Sequence, residues 1–167
     1  MGNHTQNDEL NNELNIVYRY LVKKGVPHKD AEDAVQETAY KYLRYSDSIR
    51  SSKVRSWLIR VALNFYYDQR RKDKKYIFNL KENIRESESD EMPEAVILEN
   101  ERKEELHLLL NKLKPRFREL LLLKYESELS YDEISKLLGM SISSIKTNLF
   151  RARKKLVKLY EEANDGR

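Results

Sequence analysis

Apolar residues recur every three or four positions along most of this chain, which is the spacing that places them on one face of an α-helix. The pattern predicts amphipathic helices over residues 8–24 and 28–45, with Gly25 as the terminator of the first. The polar stretch from Ser46 to Ser52 predicts a loop, because Ser and Asp side chains compete for backbone hydrogen bonds and weaken a helix. A long third helix is predicted to begin near Lys53.

The predicted third helix has two contrasting faces. Its apolar face, which we expect to pack against the other helices, carries Val54, Trp57, Leu58, Val61 and Phe65. The opposite face is a stripe of polar, cationic and aromatic side chains: Ser56, Arg60, Asn64, Tyr67 and Arg71. This stripe is left free to contact a partner.

The helical pattern is interrupted by residues 81–93, KENIRESESDEMP, which are polar, acidic and non-periodic. Such a segment cannot bury enough apolar area to fold alone, so it predicts a flexible linker. Helical periodicity returns near Glu94, and Pro115 suits the first turn of a further helix. We therefore predict an all-α fold of two small helical domains, residues 1–80 and 94–167, joined by an acidic flexible linker.

The C-terminal region carries the strongest local signal. Ser130 and Glu133 have the S-x-x-E spacing of a capping box, in which each side chain accepts a backbone hydrogen bond at the start of a helix. That helix is predicted to end at Gly139, and Met140 and Ser141 lead into a second amphipathic helix. A helix, a turn that contains glycine and a second helix together predict a helix-turn-helix, a common DNA-binding motif.

The second of these helices has a basic, hydroxyl-rich face. The residues on that face are Ser143, Ser144, Lys146, Thr147, Phe150 and Arg151, followed by Lys154, Lys155 and Lys158. Small hydroxyl side chains allow close approach to a groove, while Lys and Arg neutralise phosphates or donate hydrogen bonds to guanine. A basic face alone is usually a solvated surface, but the cap, the turn and the basic helix together favour DNA binding. Phe150 either contacts a partner or packs under the neighbouring helix.

Composition and charge narrow the functional class. The chain has four Gly, three Pro and no Cys, which favours helix over strand and excludes disulfides and thiolate metal sites. When Lys and Arg are counted against Asp and Glu, the net charge is +5 over residues 1–80, −6 over residues 81–105 and +5 over residues 106–167. Two basic blocks that flank an acidic bridge predict two surfaces for a polyanion.

Several functional classes find no support in the residues. No stretch approaches the roughly 20 apolar residues needed to cross a bilayer, and the polar start lacks a signal-peptide pattern, so we expect a cytoplasmic protein. The sequence contains no glycine-rich phosphate loop, nucleophile motif or metal-ligand cluster, and its His residues are scattered. We therefore expect no catalytic residue, no cofactor, no metal and no small-molecule substrate.

Three blocks of the sequence together resemble the extracytoplasmic-function group of bacterial sigma factors along nearly the whole chain. They are residues 30–45 (DAEDAVQETAYKYLRY), residues 55–72 (RSWLIRVALNFYYDQRRK) and residues 113–156, which contain the predicted helix-turn-helix. The order and spacing of the blocks carry the resemblance. It implies a subunit that binds core RNA polymerase and directs promoter-specific transcription initiation in a stress or envelope response.

The resemblance also implies a role for each block. The first would grip the largest polymerase subunit through Asp33, Gln36, Glu37 and Tyr40. The second would melt and recognise the minus-ten promoter element through Ser56, Arg60, Asn64, Tyr67 and Arg71, a set that suits an unstacked base held by its backbone. The third would recognise the minus-thirty-five element through Ser143, Ser144, Lys146, Thr147, Phe150 and Arg151.

The resemblance has one departure and leaves alternatives open. Thr147 and Asn148 stand where the family often has Ser and Arg, which predicts the loss of one phosphate contact and an altered base preference. The family also implies an anti-sigma factor, associated with the membrane, that clamps both domains. The acidic linker is either a strand mimic for the polymerase channel or a plain spacer. The competing functions are a stand-alone helix-turn-helix regulator, which binds duplex DNA without polymerase, and a helical interaction adaptor.

Overall fold

The computed structural model describes residues 2–80 and 101–165, and within these ranges the chain is helical and contains no strand. The α-helices of the described ranges are α1 (Gly2–Lys24), α2 (His28–Tyr45), α3 (Val54–Leu80), α4 (Glu101–Lys112), α5 (Pro115–Leu121), α6 (Tyr131–Leu138) and α7 (Ile142–Asp165). The predicted all-α fold is confirmed. The linker predicted over residues 81–93 lies outside the described residues.

The helices belong to two compact units. The first consists of residues 1–22 and 26–91, and the second of residues 23–25 and 92–167. The domain limits inferred from the sequence stay a prediction. No helix within the described part of the chain is long and apolar enough to cross a membrane.

Helices α1, α2 and α3 supply the core of the first unit. Its most deeply buried side chains are Val17, Tyr20, Leu21, Ala31, Ala34, Thr38, Leu58, Ile59 and Ala62. The buried Thr38 hydroxyl donates a hydrogen bond to the Ala34 carbonyl oxygen at 2.6 Å, so it is satisfied within α2. Arg55 of α3 donates two hydrogen bonds, of 2.8 and 2.9 Å, to the Glu13 carboxylate of α1. This bidentate pair ties the first helix to the third.

The two ends of α1 differ in how well the sequence predicts them. The helix begins at Gly2 rather than near residue 8, because residues 5–9 are polar and exposed and so contribute no apolar periodicity. Its end is as predicted. Gly25 adopts φ +111°, and the Val26 N–H donates to the Leu21 carbonyl oxygen at 2.9 Å.

The buried face of α3 differs from the predicted one. Of the five residues expected on it only Leu58 is fully buried, and Val54, Trp57, Val61 and Phe65 are half-buried. Ile59 and Ala62, which were not expected on this face, are fully buried. The prediction therefore placed the centre of the buried face wrongly. The buried residues Leu58, Ile59, Ala62 and Leu63 lie on a face rotated by roughly 100° from the predicted one, because burial depends on which side of the helix meets the other helices. Trp57 packs edge-on against Tyr42, with ring centroids 6.2 Å apart.

Helices α4 to α7 build the core of the second unit from aliphatic side chains. The buried ones are Leu109, Leu110, Leu113, Leu120, Leu121, Leu122, Leu123, Leu129, Ile134, Ile145, Leu149 and Ala152. Helix α5 is continued by a π-helical turn, Leu122–Glu126, in which the Ser127 N–H donates to the Leu122 carbonyl oxygen at 2.9 Å. Glu128 then adopts φ 55°, which turns the chain towards α6.

The predicted helix-turn-helix is confirmed in detail. The Glu133 N–H donates to the Ser130 hydroxyl and the Ser130 N–H donates to the Glu133 carboxylate, both at 3.1 Å. At the other end of α6, Gly139 adopts φ 65°, and its N–H and that of Met140 both donate to the Ser135 carbonyl oxygen. These local bonds fix where α7 begins.

Candidate nucleic-acid and protein interfaces

The acidic face of α2 borders a groove of about 520 Å³ in the first unit. The residues around this α2 groove are Asp30, Asp33, Gln36 and Glu37 of α2 and Phe65, Tyr66, Gln69, Arg70 and Asp73 of α3. Asp33 and Gln36 are exposed, and the half-buried Glu37 lies 3.9 Å from Lys41. Carboxylate and amide acceptors beside an aromatic floor suit a partner with basic side chains and apolar stems.

The fourth residue predicted for this face, Tyr40, lies outside the groove but is 61% exposed. Leu43, one turn further along α2, is 67% exposed, and Tyr45 is also exposed. Large apolar side chains that the fold leaves in water mark a surface that a partner can cover. Leu43 and Tyr45 were not predicted, although they follow Glu37 by about two helical turns on the same helix.

The structure brings together three of the five residues predicted on the α3 stripe. Asn64, Tyr67 and Arg71 border a cavity of about 540 Å³, the α3 pocket, together with Tyr66, Arg70 and Lys74. Arg60 is exposed but is not among the residues around the pocket. Ser56 is half-buried, and its hydroxyl donates to the Lys53 carbonyl oxygen at 3.1 Å.

The α3 pocket combines aromatic rings with cations. The rings of Tyr66 and Tyr67 lie 5.6 Å apart between centroids, and the Arg70 guanidinium lies 5.8 Å from the Tyr66 ring. Arg71 forms an ion pair with Asp68, so part of its charge is already compensated. Rings and guanidinium groups at this spacing suit stacking with an unpaired base and contact with its phosphate. The sequence analysis missed Tyr66, Arg70 and Lys74.

Helix α7 exposes five of the six residues predicted on its face. Ser143, Lys146, Thr147, Phe150 and Arg151 are exposed, and Ser144 is half-buried. Phe150 is 60% exposed, so it does not pack under the neighbouring helix, and its contact with a partner stays a prediction. This set forms the α7 face.

Two hydroxyl side chains of the α7 face are engaged within the helix. The Thr147 hydroxyl donates to the Ser143 carbonyl oxygen at 3.0 Å. The Asn148 amide donates to the Ser144 carbonyl oxygen and to the Ser144 hydroxyl, at 2.8 and 3.2 Å. The Ser144 N–H donates to the Ser141 hydroxyl at 3.1 Å, which caps the helix. The Thr147 hydroxyl, which donates within the helix, can still accept a hydrogen bond, whereas the Ser144 hydroxyl already accepts one from Asn148.

An apolar groove of about 1030 Å³ runs beside α7 within the second unit. Leu113, Phe117, Phe150 and Val157 supply its apolar surface, and its basic rim consists of Lys112, Lys114, Arg151, Arg153, Lys154, Lys155 and Lys158. The sequence analysis missed this groove, because its two sides come from segments about forty residues apart in the chain. A groove of this kind suits a partner that combines apolar and acidic side chains.

Tyr18 and His107 have shifted pKa values, and neither residue borders the grooves described above. Burial raises the pKa of Tyr18, with a further contribution from the Glu32 carboxylate, and the Tyr18 hydroxyl is 2.7 Å from His28 Nδ1. Burial also lowers the pKa of His107. Among the described residues, no group of three or more His, Cys, Asp or Glu side chains is arranged to hold a metal ion.

The family models and the similar proteins all point to one family, the sigma factors. Residues 11–76 match the family described as Sigma-70 region 2, and residues 103–156 match Sigma-70, region 4. The ECF RNA polymerase sigma factor SigM of Bacillus subtilis (strain 168) is 35% identical over 147 residues, which are 88% of this chain and 90% of SigM. The RNA polymerase sigma factor YlaC of the same strain is 34% identical over 146 residues, 85% of this chain and 84% of YlaC.

A solved structure extends the likeness to the fold. The sigma factor RpoE in the co-crystal structure with the anti-sigma factor NepR from Bartonella quintana has a TM-score of 0.71 and 26% sequence identity. The match covers 94% of this chain and 97% of that one. With helices throughout its described residues, a helix-turn-helix in its C-terminal region and both sigma-70 regions in order, the chain belongs to the extracytoplasmic-function group of RNA polymerase sigma factors.

Proposed function

We propose that this sigma factor binds core RNA polymerase through the α2 groove and its neighbouring exposed apolar residues, and contacts promoter DNA through the α3 pocket and the α7 face. The observation that carries the proposal is the order of the two matched regions along one chain, region 2 over residues 11–76 and region 4 over residues 103–156. Each of the three surfaces lies within one of these regions.

The contact with polymerase is supported by the chemistry of α2. Asp33 and Gln36 present acceptors to solvent, and Tyr40 and Leu43 add exposed apolar area on the same helix. A surface of this kind binds a partner by combining charge complementarity with apolar burial. The partner surface would carry Lys or Arg opposite the carboxylates.

The contact with the minus-ten element is supported by the α3 pocket. Tyr66 and Tyr67 offer ring faces to a base, and Arg70 and Lys74 offer positive charge to its phosphate. Stacking favours single-stranded bases, so the pocket suits the melted part of a promoter. Arg60 and Arg71 lie on the same helix and would add backbone contacts.

The contact with the minus-thirty-five element is supported by the α7 face. An α-helix fits the major groove of duplex DNA, and the start of this one carries the small residues Ser143 and Thr147. Arg151 supplies a fork of donors that matches the acceptors of guanine. Phe150, exposed beside it, would contact a thymine methyl or a sugar.

The remaining parts of the proposal concern partners and place of action. We propose an anti-sigma partner for this chain, because the similar RpoE was crystallised with one. The apolar groove bordered by Phe117 and Phe150 is one surface of the second unit that offers such a partner apolar contact. The protein acts by binding, without catalysis of its own, in the cytoplasm where bacterial polymerase works.

A transcription assay separates this function from a stand-alone regulator. Core RNA polymerase is mixed with the chain and with linear duplex DNA from a randomised pool, and run-off transcripts are sequenced. A sigma factor yields transcripts with defined start sites that core polymerase alone does not make. Binding of the chain to duplex DNA without core polymerase, and no specific transcript with it, would support the stand-alone regulator instead.

A further inference from the structure

Tyr66 and Arg70 of α3 border both the α2 groove and the α3 pocket, so these two cavities of the first unit share part of their lining. Arg70 is exposed, and its guanidinium lies 5.8 Å from the centroid of the Tyr66 ring. A cation at this distance is attracted to the ring, which keeps Arg70 beside the wall that both cavities share. One cationic side chain therefore belongs to both the proposed polymerase contact and the proposed DNA contact.

The two cavities have opposite charge. Of the described residues that border the α3 pocket, Arg70, Arg71 and Lys74 are cationic and none is acidic. Around the α2 groove, Arg70 is the one cation among the described residues, and it is accompanied by four carboxylates. These acidic residues are Asp30, Asp33, Glu37 and Asp73. Arg70 thus lies where a negatively charged groove meets a positively charged pocket.

This position exposes Arg70 to competition between two kinds of anion. The carboxylates of the α2 groove attract its guanidinium and lower the positive potential that a DNA phosphate meets in the α3 pocket. Because the groups involved are largely exposed, salt screens this attraction and its size is modest. Basic side chains of a partner that pair with Asp33 and Glu37 compensate these carboxylates, and Arg70 then becomes available to a phosphate.

We infer that Arg70 couples the two interfaces: binding of polymerase cations to the carboxylates of the α2 groove releases Arg70 and strengthens the binding of single-stranded DNA by the α3 pocket. Both contacts belong to the proposed function, on which this inference rests. The free chain then restrains its own DNA pocket through the acidic face of α2. Because coupling between two binding sites is reciprocal, single-stranded DNA should raise the affinity for polymerase by the same factor.

The first test measures binding of single-stranded DNA by the free chain. The probe is a labelled single strand that carries the minus-ten region of a promoter identified in the transcription assay, and fluorescence anisotropy gives its affinity. The variant Asp33→Asn/Glu37→Gln should raise this affinity several-fold, and the gain should shrink as salt is added, because the competing attraction is electrostatic. The matched control, Glu9→Gln/Glu32→Gln, removes two exposed carboxylates that do not border the groove, and it should give a clearly smaller gain.

The second test asks whether Arg70 carries the coupling. In the Arg70→Gln background, Asp33→Asn/Glu37→Gln should no longer raise the DNA affinity of the free chain beyond the gain of the control, since the side chain in competition is gone. In the holoenzyme, at saturating core polymerase, Asp33→Asn/Glu37→Gln should bind the single strand as wild type does, because polymerase already compensates the carboxylates. A merely structural role of Arg70 would lower DNA affinity without this interaction between variants. Thermal melting confirms that each variant is folded.

The inference is wrong if the groove variant binds the single strand no more tightly than the control does, or if Arg70→Gln leaves the gain intact. Two further measurements separate this failure from failure of the proposed function. If Asp33→Asn/Glu37→Gln binds core polymerase as tightly as wild type does, the polymerase contact itself is misplaced. If holoenzyme with Arg70→Gln/Lys74→Gln binds the strand as wild type does, the DNA contact is misplaced. When both contacts hold and the gain is absent, only the coupling through Arg70 fails.

Discussion

Individual side chains on α7 show how one helix separates stability from recognition. Leu149 is fully buried and Phe150, the next residue, is 60% exposed. Successive positions of a helix point about 100° apart, so adjacent apolar residues can face the core and the solvent. Removing the Leu149 side chain should therefore mainly lower stability, whereas removing the Phe150 side chain should mainly weaken binding to a partner.

The first prediction compares alanine at these two positions. Leu149→Ala removes a fully buried side chain and should lower the free energy of unfolding by about 2–5 kcal/mol. Phe150→Ala should change it by less than about 0.5 kcal/mol, as surface substitutions do, but weaken promoter binding by the holoenzyme several-fold. Chemical denaturation and promoter titration measure the two effects. A large loss of stability in Phe150→Ala would show that its ring packs against the apolar groove rather than serving DNA.

The second prediction concerns Gly139, which ends α6 with φ 65°. No heavy atom lies within 4 Å of a Cβ built at this position, so a substitution meets no steric clash and pays only for the backbone conformation. Gly139→Ala should lower the free energy of unfolding by about 1–2 kcal/mol, and Gly139→Asn by less, because Asn tolerates this region better. Denaturant titration of the two variants gives the comparison. Equal stability of Gly139→Ala and wild type would contradict this account of the turn.

Residues whose roles are local were predictable from the sequence. Ser130, Glu133 and Gly139 act through hydrogen bonds and dihedral angles within a few positions, and all three were correctly predicted. The contact between the Lys124 ammonium group and the Tyr131 ring, 4.1 Å from its centroid, was not predicted, because it depends on a π-helical turn that leaves no signature in the periodicity. Contacts of this kind, between residues of different elements, can be found only from the three-dimensional structure.

At the level of whole helices, periodicity predicted where a helix begins and ends better than which of its faces is buried. The bounds of α2 were predicted as residues 28–45 and are His28–Tyr45. The buried face of α3 was not, because the most deeply buried residues, Leu58, Ile59 and Ala62, lie on a face rotated from the predicted one. Its polar stripe was predicted well enough that Asn64, Tyr67 and Arg71 share one pocket.

The third prediction tests the α2 groove as the polymerase contact. The variant Asp33→Lys/Glu37→Lys reverses two charges that border the groove and should weaken core polymerase binding by about tenfold or more, about 1.4 kcal/mol. Helicity should be unchanged, since neither residue is among the buried core. Affinity is measured by titration of labelled chain with core polymerase, and helicity by circular dichroism.

A charge reversal on the same helix controls for net charge when it is compared with the single variant Asp33→Lys, which changes the net charge by the same amount. Glu32 is exposed on α2 and is not among the residues that border the groove. Glu32→Lys should therefore bind core polymerase nearly as wild type does. Unchanged binding by the double variant, or an equal loss with Glu32→Lys, would move the polymerase contact away from this groove.

At the scale of the whole molecule, charge is distributed in alternating blocks. The net charge of +4 arises from two segments of +5 each, which contain the proposed DNA-binding surfaces, and one segment of −6 over residues 81–105. An acidic segment covalently tied to two basic ones lowers the net positive charge that attracts any duplex, an effect that salt screens. Base-specific contacts are affected less, since they depend on geometry at short range. The acidic segment should therefore raise the ratio of specific to non-specific binding.

The last prediction follows from this balance. Replacing Glu82, Glu86, Glu88, Asp90 and Glu91 with Gln or Asn removes five negative charges from a chain whose net charge is only +4. Affinity of the free chain for a duplex without promoter sequence should rise several-fold, and its dependence on salt should steepen, because more of the basic charge becomes available to phosphates. Thermal melting checks that the neutral variant is folded. A variant with the residues of 81–93 in shuffled order keeps the charge and should behave as wild type does. Fluorescence anisotropy with labelled duplex measures both affinities, and if the neutral variant binds no more tightly than the shuffled one, the acidic segment does not act through its charge on DNA.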